Sequence, residues 1–173
     1  VLLETINKER QKLLLSPLQL MNELKPITQT RAKEAHAWYT LYALNKEKAP
    51  SNQKTPYIRP TTGTTFQDNL EANKELFNQK KFYQLDQKEK VKIFKNTFEK
   101  SFTEYLIYGS DKETAQDIAN TLLKSSDGYK LITSAKYTHV YFVKHAENGH
   151  TTWAVLFFNE NAGKTLLKTF PLN

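Results

Sequence analysis

The chain has 173 residues, a net charge of +7 and no cysteine. That length is one domain, large enough to bury a core without disulfides or a structural metal. The lack of cysteine excludes a disulfide scaffold, a thiolate zinc site and a cysteine nucleophile. No apolar run is long enough to span a membrane as a helix. Arg10, Arg31 and Arg59 are the only arginines. The positive charge is therefore nearly all lysine, interleaved with Asp and Glu. Nucleic-acid readers favour arginine for bidentate contacts, so a lysine-coated surface is expected and no nucleic-acid partner.

Residues 3 to 14 place Leu3, Ile6, Arg10, Leu13 and Leu14 near one face and predict a short amphipathic helix. Ser16, Pro17 and Gln19 have the pattern of a capped helix start, and Leu20, Leu24, Ile27, Ala35, Trp38 and Tyr42 recur at helical spacing. A long helix from 17 to about 45 is expected, kinked or broken at Pro26. Residues 46 to 65, with three prolines and Gly63, predict a long loop. Helices are then expected from Thr65, and from Asp86 with Val91, Phe94, Phe98 and Phe102 as an apolar stripe. A helix follows "TEYLIYG", with Ala115, Ile118, Ala119, Leu122 and Leu123 on its apolar face and Gly128 at its end. The tail changes period: "YTHVYFVKHA", "TTWAVLFFNE" and "KTLLKTFPLN" predict three antiparallel strands, with "ENGH" as a turn.

The order of these segments resembles the CAP superfamily: cysteine-rich secretory proteins, antigen five and pathogenesis-related one, called SCP-like domains in bacteria. The resemblance rests on Asn7, Arg10, Leu18, Leu20, Leu24, Arg31 and Ala32 near the start, on "YIRPTTGTTF", and on "TEYLIYGSDKETAQDIANTLLKSSDGYKLITSAKYTHVYFV". It covers nearly the whole chain. Low glycine and high lysine are similar to a bacterial branch, that of Lyme-spirochaete outer-surface lipoproteins. The resemblance implies a single domain over residues 1–173 with an α+β fold, a three-layer α-β-α sandwich around a central antiparallel sheet. It also implies a cell-surface location, with membrane attachment only through a lipid anchor upstream of Val1.

Family clefts carry two histidines and two acids, which in some members hold a metal. Carried over residue by residue, the first histidine falls on Tyr57 and the first acid on Glu104. The second acid falls on Asp117, or on Gln116 or Glu113 if the register slips, and the second histidine on Tyr129. Two phenols and two carboxylates make a poor transition-metal site. No catalytic residue, metal or cofactor is expected there. The competing reading of Glu104 is a solvent-facing strand residue, of Asp117 a helix-surface charge, and of Tyr57 and Tyr129 packing side chains. His36 and His139 read as structural. His145 and His150 flank a turn and lack a third metal ligand. The implied function is a non-enzymatic surface module that binds a host or envelope partner. The alternatives are a lipid or sterol carrier and a metal-dependent hydrolase.

Overall fold

The computed structural model describes residues 1–61, 63–65, 86, 88 and 101–160. Within them lie α1 (Leu2–Lys12), β1 (Gln19–Leu20), α2 (Lys25–Trp38), β2 (Phe102–Ser110), α3 (Ala115–Lys124), α4 (Ser126–Ile132), β3 (His139–Glu147) and β4 (His150–Phe158). The sheet order is β1-β3-β4-β2. The three long strands are antiparallel; β3 and β4 are two of the three predicted tail strands, and β2 pairs with the other edge of β4. The sheet is nonetheless mixed, because β1 pairs parallel to β3 through Gln19 with His139 and Leu20 with Val140.

Strand β4 sits between β2 and β3 and is buried along almost its whole length. Helices cover it on both sides, which explains why "WAVLFF" is continuously apolar rather than alternating. Side chains alternate across the sheet. Tyr105, Ile107, Val140, Trp153, Val155 and Phe157 join Leu2 and Ile6 of α1, Ile118 and Leu122 of α3 and Ile132 of α4 in one core. On the opposite face Leu106, Val143 and Ala154 meet Ala32 and Ala35 of α2. This is the expected three-layer α-β-α arrangement.

The stretch predicted to start the long helix is extended instead. The Asn7 side chain receives the Leu18 N–H at 2.8 Å and donates to the Leu18 carbonyl at 3.1 Å. That amide clamp holds the chain straight, so Ser16 and Pro17 cap nothing. A 3-10 turn over Asn22–Leu24 leads into α2, with Pro26 in the first turn. There a missing N–H costs nothing, so the proline starts the helix rather than breaking it. The helix continues through a π-helical turn over Tyr39–Leu44, as far as predicted. Leu13 and Leu14, expected on the buried face of α1, are exposed, because α1 stops at Lys12 and Leu14 takes a left-handed φ of 58°.

Arg10 is buried. Its guanidinium donates to the carbonyls of Ser16, Ile132, Ser134 and Tyr137, tying α1 to the segment after α4. The α3 start is a capping box: Asp117 accepts from the Thr114 N–H at 2.8 Å, and Thr114 accepts from the Asp117 N–H at 3.2 Å. Gly128 lies inside α4 rather than at a helix end, because the chain turns sharply at Ser125. A β-carbon there would stand 2.6 Å from the Leu122 carbonyl, so the residue permits the close approach of α4 to α3. Asn148 and Gly149, at φ 54° and 79°, form the β3–β4 turn predicted from "ENGH". Phe102, predicted on a helical stripe, opens β2 and packs on Phe158 across the strand pair at 5.0 Å. The helix from Thr65, the Val91, Phe94 and Phe98 stripe and the third tail strand lie outside the described residues.

Candidate functional site

Glu104 faces α2 from β2, flanked on the same face by Phe102 and Leu106. It is buried, not solvent-facing. Arg31 meets it with the planar fork of the guanidinium: Nε to Oε2 and Nη2 to Oε1, both 2.8 Å. This is a bidentate, charge-assisted pair. Burial alone would lower the Arg31 pKa, but Glu104 and then Glu34 outweigh it and hold the guanidinium above its ordinary value. Glu34, one helical turn along α2, stands 3.5 Å from Arg31 Nη1 and accepts from Arg59 Nε at 2.9 Å. A charge chain thus runs Arg59–Glu34–Arg31–Glu104 and binds the loop, α2 and the sheet together. Arg31 also donates to the Pro56 carbonyl, and the Trp38 indole to the Gln53 carbonyl at 2.7 Å. The long loop is therefore fastened along α2.

That fastening places Tyr57 beside Glu104. The Tyr57 hydroxyl accepts the Leu106 N–H at 3.0 Å, a donor on the side of β2 away from β4. Burial first, then the nearby Glu104, raises the Tyr57 pKa, so the phenol is neutral at physiological pH. Tyr57 and Glu104 line an open groove of about 540 Å³ together with Thr103, Tyr105, Asp127, Lys130, Leu131, Ser134, Lys136 and Tyr137. Tyr105 is fixed by donation to Ser125 Oγ at 2.7 Å, and the Thr103 hydroxyl bonds the Tyr137 hydroxyl.

The structure brings together two of the four cleft positions read from the sequence. Asp117 is exposed and spends its carboxylate on capping α3, which lowers its pKa through the Thr114 N–H and hydroxyl. The alternative registers fail as well: Gln116 is exposed and bonds Asn120, and the Glu113 carboxylate lies over Gly109. Tyr129 is 40 % exposed on α4 and does not line the groove. Helical spacing explains the miss. Asp127, Lys130 and Leu131 follow the i, i+3, i+4 pattern of one face, and Tyr129 falls off it. The second acid lining the groove is Asp127, two residues before Tyr129.

No histidine lines this groove among the described residues. Glu104 has both oxygens engaged by a guanidinium, and a metal ion there would have to displace or sit against that cation. Among the described residues the groove offers shape, aromatic surface and mixed charge, and its carboxylates are Glu104, held by Arg31, and Asp127.

No family model matches the sequence, and no curated protein matches it. Among solved structures, the chain is similar to an outer surface protein from Borrelia burgdorferi, at 17% identity, over 91% of this chain and 89% of that one, with a TM-score of 0.44. It is also similar to a cysteine-rich secretory protein from Staphylococcus aureus, at 13% identity, over 91% of this chain and 36% of that one, with a TM-score of 0.46.

Proposed function

We propose that the chain is a non-enzymatic, CAP-like module of the bacterial cell surface, lipid-anchored there, that binds a host or envelope partner through the Tyr57–Glu104 groove. The observation that carries this reading is the Arg31 fork on Glu104. The acid at the cleft position is a structural clamp, and the neighbouring cleft position is a tyrosine whose hydroxyl is occupied by the backbone of β2. The groove surface left to a partner has an aromatic wall, Tyr105 and Tyr137, beside Lys130, Lys136 and Asp127. An acyl chain or sterol would be laid against these charges, which favours a polar polypeptide over a lipid.

Surface plasmon resonance of the immobilised chain against purified envelope and host-matrix proteins tests the reading. Saturable binding that Lys130→Glu and Leu131→Asp abolish, and that Lys8→Glu on α1 leaves intact, is expected. Failure to bind any of them, or Glu104-dependent turnover of ester, peptide or glycoside substrates, would overturn it.

A further inference from the structure

The imidazoles that the groove lacks stand together at another place on the same face of the sheet. Helix α2 runs on from Arg31 and places His36, buried, against β3 and β4. Strand β3 contributes His145 and Glu147, two residues apart and so on one face. One ligand atom from each of His36, His145 and Glu147 lies within 4.8 Å of the other two. His145 Nε2 and Glu147 Oε2 are 3.4 Å apart. In a tetrahedral site with bonds of about 2.0–2.1 Å, neighbouring ligand atoms stand about 3.4 Å apart. One edge of such a site is already at its proper length. The other two need small rotations of side chains on a partly exposed hairpin end.

The supporting groups are in place. His36 Nδ1 is 2.9 Å from the buried Thr152 hydroxyl, and the ring also hydrogen-bonds the Glu147 main chain, so an ion would take Nε2 in exchange for that main-chain contact. A hydrogen-bonding group behind the ring is what fixes metal-ligating imidazoles in orientation and tautomer. The His36 and His145 rings meet edge to face at 4.9 Å. His150, paired with Glu147 across the hairpin, stacks on Tyr108 at 5.5 Å beside them. An open depression of about 450 Å³ leads to the cluster, lined by Lys33, Thr40 and Leu41 as well as the three candidate ligands. Lys33 is exposed, so its ammonium can remain in water away from an incoming cation.

We propose that His36, His145 and Glu147 bind a divalent transition-metal ion of the zinc class. Two imidazoles and one carboxylate suit Zn²⁺ or Co²⁺, whereas Mg²⁺ and Ca²⁺ prefer all-oxygen sites. Three protein ligands leave a position open to water or to a donor from a partner. The ion would tie α2 to the β3–β4 hairpin, and the site shares no residue with the Glu104 groove. His150 is not among the three ligands; Glu147 of the same strand as His145, and His36 of a helix far away in sequence, complete the set.

The test is calorimetric titration of the tag-free, chelator-treated full chain with ZnCl₂ near neutral pH, with Co²⁺ absorption as a geometric probe. One ion per chain at micromolar affinity or tighter, an intense tetrahedral Co²⁺ band and no competition from Mg²⁺ are expected. His145→Ala and Glu147→Gln should each weaken binding at least about tenfold, since even outer-shell losses cost that much. Both sit at the hairpin end, so the metal-free thermal midpoint should hold and separate lost ligation from lost folding. His139→Ala should leave the affinity unchanged. No saturable binding, or binding indifferent to both ligand variants, would overturn the proposal.

Discussion

Glu104→Gln is the most informative single change. The side chains of Arg31 and Glu104 are 1% and 5% exposed, and two 2.8 Å hydrogen bonds join them. Neutralising Glu104 removes the main charge partner of a guanidinium that stays buried. Breaking a buried pair from one side costs about 3–5 kcal/mol. Glu34 remains 3.5 Å from Nη1 and retains part of the compensation, so the lower end, about 3 kcal/mol, applies. In urea, with a slope of about 2 kcal/mol/M, the unfolding midpoint should fall by roughly 1.5 M. Replacing both partners, Arg31→Met with Glu104→Leu, should recover most of the loss, because no uncompensated charge remains. A midpoint shift below about 0.5 M for Glu104→Gln, or a double variant less stable than the single one, would refute the clamp.

Other consequences follow from the same geometry. Gly128→Ala should destabilise by about 1–3 kcal/mol, since the new methyl meets main-chain oxygen, whereas Gly109→Ala meets only the movable Glu113 carboxylate and should be nearly neutral in chemical denaturation. Asp117 has its folded pKa depressed, so its stabilising effect is present above the ordinary carboxylate range and is lost as pH falls through that range. Asp117→Asn should therefore lower the thermal midpoint near neutrality, and the gap from the parent should close in acid. Burial pushes the Tyr39 phenol up to about 12, with Tyr57 and Tyr105 adding to the shift. Because the raised value favours the neutral folded form, stability from Tyr39 is present below pH 10 and falls between about 10 and 12; Tyr39→Phe should flatten that limb of the pH–stability curve and remove one late step from the 295 nm titration.

Much of the layered fold was legible. The β3–β4 hairpin announced itself through "ENGH", and α3 through its apolar face. Patterns dominated by distant partners were not. Ser16-Pro17 has every local mark of a helix start, yet one side chain, Asn7, holds that stretch extended through hydrogen bonds eleven residues away. Pro26 looked like a helix breaker only because the start had been placed too early. At the groove, Tyr57 and Glu104 lie together, but register along a helix decides which side chains face inward: Asp127 lines the groove, while Asp117 and Tyr129 do not. One signal was present and unused. In a chain so rich in lysine, the three arginines mark places where a planar, multi-donor cation is needed. All three are buried: Arg10 gathers four carbonyls, and Arg31 and Arg59 hold Glu104 and Glu34. The cluster of His36, His145 and Glu147 could not be read from spacing, because the strand supplies two ligands and α2 the third, more than a hundred residues earlier.

Under the proposed function, Glu104 holds the groove together and takes no part in a reaction. The most direct measurement compares partner binding and hydrolytic turnover in the parent and in the Arg31→Met, Glu104→Leu double variant, once the latter is shown to be folded. Binding unchanged within a few-fold and turnover at background in both are expected. Turnover present in the parent and lost in the folded double variant would contradict that role.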